Sequence, residues 1–192
     1  MVNIEYATTL INPNLKHLLE FGVGSGHTTR QMKGQVDRLF ADQNLQIIGF
    51  DWFQGLPEAW VSYKHPTVMA ADKGAFTQNG IAPDIPGVRY YEGLYDETIP
   101  KYIAQEAEPI ALLHIDCDLY SSTVTVFENL HPYIVKDTII AFDEWCYLHN
   151  AEFDDHEARA FYEYVEKYNV KYEFVDFLCP EKGVERKIVR IL

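Results

Sequence analysis

Short, nearly continuous apolar runs bounded by turn residues recur along this chain, and no other feature limits its folding as much. They are "HLLEFG" (17–22), "QIIGFD" (46–51), "VRYYEG" (88–93), "PIALLHID" (109–116) and "TIIAFDE" (138–144). None alternates strictly between apolar and polar residues, which is the pattern of a strand buried on both faces. Stretches with helical spacing lie between most of them, at 27–41, 94–106 and 121–134. Strand, helix, strand repeats require right-handed crossovers, so the pattern predicts a doubly wound, mainly parallel α/β sheet with helices on both faces. After the fifth run, "DDHEARAFYEYVEKYNV" brings Ala158, Phe161, Tyr162 and Val165 onto one helical face. "KYEFVDFL" and "VERKIVRIL" then read as two closing strands, antiparallel because only "CPEKG" separates them.

Residues 52–87 break this rhythm. The segment carries many of the chain's prolines and glycines and five aromatic side chains. It is too long for a plain connector, and two readings stay open: a lid or substrate loop, or a packed surface excursion. With 192 residues, 47% of them hydrophobic, the whole chain is expected to form one domain, 1–192, with this insertion at 52–87.

Charge narrows the partners. A formal net charge of −13 repels phosphate backbones, so neither nucleic acid nor an anionic membrane surface is an expected partner. The start "MVNIEYATTL" lacks the basic stretch and apolar core of a secretory signal. No run approaches the about 20 apolar residues of a membrane span. The three cysteines, Cys117, Cys146 and Cys179, are far apart and odd in number, which fits reduced thiols better than disulfides. A soluble, cytoplasmic protein is the expectation.

The first apolar run ends in "EFGVGSGHTT", with Glu20 two residues before Gly22 and further glycines at 24 and 26. Glycines that close a strand and open a helix expose backbone N–H groups to a ligand. The spacing matches neither G-x-G-x-x-G nor a phosphate loop, which needs a Lys-Ser or Lys-Thr pair. The next strand ends in Asp51, where carboxylates of nucleotide-binding α/β sheets take ribose hydroxyls. Two carboxylates beside one loop suit a ligand with a ribose, a cationic centre and an ammonium group better than a pyrophosphate.

A second set of acids ends the fourth and fifth runs. Strand alternation puts Asp116 and Asp118 on one side, and Asp143 and Glu144 end the neighbouring strand. Like charges held that close need a proton, a counterion or a cationic ligand, and Mg²⁺ is the simplest. It could activate and orient a substrate hydroxyl. The alternative is structural: Asp118 capping the helix that begins near Tyr120 and Asp143 holding a loop amide. His114, Asp116, His149 and His156 are candidate bases, His114 being expected on the other face from these acids or in the core, and His149 and His156 reading alternatively, and more often, as exposed or capping histidines. Cys117 has no visible His and Asp relay and reads as inert.

"LLEFGVGSG" resembles motif I of class I S-adenosylmethionine-dependent methyltransferases, and "IIGFDWFQGLPEAW" resembles the second-strand acid and following loop of one branch of them. "GLYDETIPKYI", "ALLHIDCDLYSST" and "IIAFDEW" are similar to the branch that contains the macrocin and mycinamicin sugar O-methyltransferases. The resemblance implies a Rossmann-like sheet of seven strands with an antiparallel C-terminal strand. It implies S-adenosylmethionine as cofactor, with Glu20, Gly22, Gly24 and Ser25 along its methionine part. Asp51 would take its ribose, Trp52 and Phe53 would flank its adenine, and Asp116 would lie beside it. "KGAF" (73–76) and "EGLY" (92–95) would close over it. The metal-dependent members of that branch imply Mg²⁺ on Asp116, Asp143 and Glu144, although they commonly have two aspartates where this chain has Asp-Glu. The implied activity is O-methylation of a small-molecule or glycosidic hydroxyl, with Asp116 and His149 as catalytic residues. Two other readings stay open: an aminopropyl transferase, and a cofactor-binding or scaffold domain whose active site has drifted. Because only sixteen residues precede the first strand, a homo-oligomer could supply part of an acceptor pocket.

Overall fold

The computed structural model describes residues 4–147, 155–175 and 184–192, and in it each of the five apolar runs forms a strand. In chain order the elements are helix α1 (Ile4–Thr9), β1 (His17–Phe21), α2 (His27–Leu39), β2 (Gln46–Asp51), β3 (Trp60–Val61), β4 (Met69–Ala71) and β5 (Val88–Glu92). They continue with α3 (Tyr95–Gln105), β6 (Ile110–Ile115), α4 (Tyr120–Leu130), β7 (Ile139–Tyr147), α5 (Glu157–Tyr168), β8 (Tyr172–Phe174) and β9 (Val184–Ile191). The expected helix at 121–134 stops at Leu130 and tightens into a 3₁₀ turn, His131–Tyr133, where Pro132 cannot continue the α-helical ladder.

Seven strands make one sheet in the order β5-β2-β1-β6-β7-β9-β8. The first five are parallel, β9 runs antiparallel to β7, and β8 pairs antiparallel with β9. This is the Rossmann-like arrangement of the sequence reading. Both faces are covered, as the continuous apolar runs require. Leu18, Ile47 and Leu112 pack with Met32 of α2 and Ile4 and Ala7 of α1. Leu19, Phe21, Phe50 and Leu113 face the other way, toward Ile99 of α3, Val126 of α4 and Phe161 of α5. Each such side chain contributes about 1.5–3 kcal/mol when fully buried, so the two-sided core dominates the sheet's stability.

Strand order reverses between β1 and β6, since the chain steps outward through β2 and β5 on one side and through β7 on the other. Ligands of open α/β sheets settle at the carboxyl ends of the strands beside such a point. Residues 52–87 fold over this edge. They contain the small antiparallel pair β3–β4, and Leu56 and Trp60 pack with Leu119 in a satellite cluster. Among the described residues no helix is long and apolar enough to cross a membrane.

Candidate active site

A cavity of about 610 Å³ opens at the carboxyl ends of β1, β2, β6 and β7. Its first wall is the glycine loop. Gly22 (φ +93°) passes so close to β6 that a Cβ there would lie 1.7 Å from the Asp116 carbonyl oxygen. Gly24 (φ +51°) has the opposite surroundings, with nothing within 4 Å of a Cβ. The first glycine closes the fold at the switch point, and the second leaves room for a ligand. Asp51 braces the loop: Oδ2 accepts from the Gly24 amide at 2.9 Å and Oδ1 from the Phe53 amide at 2.7 Å. Its carboxylate still lines the cavity and keeps lone pairs for a ligand hydroxyl.

Gly22, Gly24, Ser25, Asp51, Trp52 and Asp116 all lie on the cavity wall. Glu20 and Phe53 lie behind it. Glu20 is fully buried, accepts a hydrogen bond from the Thr29 hydroxyl at the start of α2, and faces His114 Nδ1 at 3.3 Å. Phe53 has a left-handed backbone (φ +59°) and is 1% exposed, edge-on to Tyr90. The Trp52 indole N–H donates to the Gly55 carbonyl, fixing its ring at the wall.

The wall that adjoins the loop at Asp116 is acidic. Asp116, Asp118 and Glu144 line the cavity, and one carboxylate oxygen each from Asp116, Asp143 and Glu144 lies within 4.8 Å of the others. Asp118 arrives by a different route from the one its spacing suggests. β6 ends at Ile115, and a left-handed backbone at Asp118 (φ +62°), not strand alternation, brings it to the site. Burial, then the charge of Asp143, raises the Asp118 carboxyl to about 7 and lifts Asp116 well above the usual carboxylate range. Burial, then Asp116, does the same to Glu144. Arg186 of β9 partly neutralises Asp143, with Nε at 3.2 Å and a terminal nitrogen at 3.3 Å. A further acid, Glu157, accepts from the Glu144 amide at 3.2 Å. Sequence reasoning missed it because it reads as an ordinary first-turn helix acid.

His114 corrects an expectation. It is fully buried, as the core alternative expected, and there it faces Glu20 and Asp116 rather than pointing away from the acids. Burial opposes its charged form, but the Glu20 hydrogen bond and the charges of Asp116, Glu20 and Asp143 outweigh this and raise its pKa. His156 is buried: Nδ1 accepts from the Tyr120 amide at 3.0 Å and Nε2 donates to the Val61 carbonyl at 3.0 Å. That pairing makes His156, not Asp118, the group that satisfies the start of α4, and burial lowers its pKa. His149 lies outside the described residues. Cys117 is buried, and burial pushes its thiol up, consistent with an inert residue. Ser121, Ser122 and Thr125 add hydroxyls from one face of α4, and Phe76 stands 61% exposed at the cavity wall. The polar spacing of the α4 residues was readable; the placement of Phe76 depends on its left-handed turn (φ +65°).

A family model described as a methyltransferase domain matches residues 19–145. The chain is 26% identical over 159 residues to a curated Streptomyces olivaceus protein, 8-demethyl-8-(2,3-dimethoxy-alpha-L-rhamnosyl)-tetracenomycin-C 4'-O-methyltransferase. That match covers 74% of this chain and 59% of the relative, so the chain spans under two thirds of the relative's length. Among solved structures, the calicheamicin methyltransferase CalS11 superposes with a TM-score of 0.73 at 23% identity, covering 98% of this chain and 76% of that one. The O-methyltransferase NovP gives 0.66 at 20% identity, covering 98% and 77%. These two likenesses carry the fold.

Proposed function

Because the chain belongs to the methyltransferase domain family, we propose that it transfers the methyl group of S-adenosylmethionine to a hydroxyl oxygen of a small or glycosidic acceptor. The observation that carries this reading is the pairing of two walls in one cavity: an open glycine loop braced by Asp51, and a carboxylate wall that adjoins it at Asp116. In this reading the methionine part of the cofactor runs along Gly22, Gly24 and Ser25. Its ribose meets Asp51 and its adenine meets Trp52. Glu20 acts from behind, holding the loop through Thr29. The insertion at 52–87 forms the roof of the acceptor side of a single domain.

The donor set at the acidic wall fits a hard divalent cation. Asp116, Asp143 and Glu144 offer only carboxylate oxygens, and buried Glu144 Oε2 has no partner among the described residues. Mg²⁺ held there would lower the pKa of an acceptor hydroxyl and orient its oxygen. In the transfer, the acceptor oxygen forms a bond to the methyl carbon, and the carbon–sulfur bond breaks with its electron pair going to sulfur. The hydroxyl proton goes to Asp118, a carboxyl on the same wall as the acids that would hold the cation. Alignment of oxygen, methyl and sulfur by the two walls supplies much of the rate.

The cavity wall carries five carboxylates, Asp51, Asp96, Asp116, Asp118 and Glu144, and no Lys or Arg among the described residues. A neutral or amino-bearing acceptor suits this wall better than a sugar phosphate. The same reading expects a cytoplasmic enzyme acting free of nucleic acid and membranes. The test is transfer of labelled methyl from S-adenosylmethionine to a panel of neutral glycosides, amino glycosides, phenols and nucleotide sugars. Labelled O-methyl products from the first three classes are expected. Transfer of an aminopropyl group from the decarboxylated cofactor, or cofactor binding with no turnover across the panel, would overturn the reading.

A further inference from the structure

Three consecutive ionisable residues, Asp155, His156 and Glu157, are almost fully buried where α5 begins. The first two are bonded to the insertion and the third to β7. Asp155 Oδ2 accepts from the Ser62 hydroxyl at 3.0 Å and the Lys64 amide at 2.7 Å, which anchors the β3–β4 pair. His156 bridges the Val61 carbonyl and the Tyr120 amide, tying the same insertion to α4. Glu157 Oε2 accepts from the Glu144 amide of β7.

The third bond serves an amide that the strand ladder leaves open, since β7 pairs with β6 only as far as Phe142 and meets β9 again at Cys146, yet a neutral acceptor would serve that amide as well. A carboxylate so deeply buried beside other carboxylates is costly, and a free side chain at a helix start would turn toward water. The two preceding residues, fixed by four hydrogen bonds, hold Glu157 in place. Its Oε1 and the neighbouring Glu144 Oε2 are both buried without a partner among the described residues. Two orphaned acid oxygens at one place mark a local shortage of positive charge. Glu157 also lies beyond the segment that the family model matches.

We propose that Glu157 is a positioning residue for a divalent cation at Asp116, Asp143 and Glu144. By accepting from the Glu144 amide it fixes that residue's main chain, so that the Glu144 carboxylate stays turned to Asp116. The inference rests on the metal reading of the preceding subsection.

The test uses the full, metal-free chain saturated with S-adenosylhomocysteine and titrated with Mn²⁺ by electron paramagnetic resonance. Wild type is expected to bind one Mn²⁺, Asp116→Asn to lose it, and Glu157→Leu, which leaves the Glu144 amide without its acceptor, to bind it about 10–100-fold more weakly. Glu157→Gln, whose amide oxygen can still accept from the Glu144 amide, should recover most of that loss. Affinity of Glu157→Leu for S-adenosylhomocysteine should stay within about twofold of wild type, since the glycine loop and Asp51 are assigned to the cofactor. Wild-type Mn²⁺ binding in Glu157→Leu overturns the positioning role alone. Parallel loss of Mn²⁺ and S-adenosylhomocysteine binding reduces Glu157 to a structural residue and overturns it too. Absence of Mn²⁺ binding in wild type overturns the metal reading and this inference with it. Should Glu157→Leu fail to fold, Glu157→Asp, which withdraws the carboxylate from the Glu144 amide, must show the same selective loss or the proposal falls.

Discussion

Replacing Gly22 and Gly24 by alanine, one at a time, separates what the glycine loop does for the fold from what it does for binding. At Gly22 the new Cβ falls 1.7 Å from the Asp116 carbonyl oxygen and 2.6 Å from its carbon, so β1 and β6 must part at the switch point. The left-handed backbone (φ +93°) adds strain of about 1–2 kcal/mol to an overpacking cost of about 1–3 kcal/mol. The sum, about 2–5 kcal/mol, corresponds to about 5–20 °C in Tm for a chain of this length. At Gly24 the Cβ meets no protein atom within 4 Å. Its backbone strain of about 1–2 kcal/mol is partly offset by about 0.4–1 kcal/mol from the stiffer unfolded chain, so Tm should drop by only a few degrees. The methyl group of Gly24→Ala instead enters the space assigned to the cofactor, and S-adenosylhomocysteine should bind at least about tenfold more weakly, about 1.4 kcal/mol. Scanning calorimetry and isothermal titration of the two variants read both effects. Equal destabilisation by the two substitutions, or unchanged binding by a folded Gly24→Ala, would refute the division of roles.

Three further outcomes follow from the same geometry. Asp51→Asn keeps one acceptor oxygen for two backbone amides, so it should cost about 1–3 kcal/mol and weaken S-adenosylhomocysteine binding measured by calorimetry. His156→Ala strands the Tyr120 amide and the Val61 carbonyl; stability in urea should fall by about 2–4 kcal/mol, while the pH profile of the remaining methyl transfer keeps its shape. Asp118 carries a raised pKa of about 7 against an ordinary value of 3.8, so between these values the folded state binds more protons than the unfolded one. Its contribution is fully present below about 4 and is lost as pH rises toward 7. In chelator, the Tm of Asp118→Asn relative to wild type should therefore climb across that window; a gap that stays constant with pH would contradict the burial of this carboxyl.

The sheet was legible because each central strand is an uninterrupted apolar run, and burial on both faces leaves that mark on residues such as Leu18 and Leu19. Elements that are short or depend on distant contacts were not. α1 has only six residues and β3 two, too few to carry a period. On the glycine-loop wall, glycine spacing and Asp51 pointed to residues that do line the cavity, whereas Glu20 and Phe53 lie behind it. The difference is one of side-chain direction: Glu20 lies in the sheet between Gly49 and His114, and a reversed backbone turns Phe53 inward. On the acidic wall, Asp116, Asp143 and Glu144 could be named from strand ends. Asp118 needed its left-handed backbone, and Glu157 needed the return of α5 across β7.

The most direct test of the account is a crystal structure of the full chain grown with S-adenosylhomocysteine and Mn²⁺. It should show the homocysteine along Gly22, Gly24 and Ser25, the ribose on Asp51, the sulfur turned toward Asp116, and an anomalous peak among Asp116, Asp143 and Glu144. A cofactor bound with its ribose away from Asp51, or a cavity that takes neither ligand at saturating concentration, would contradict it.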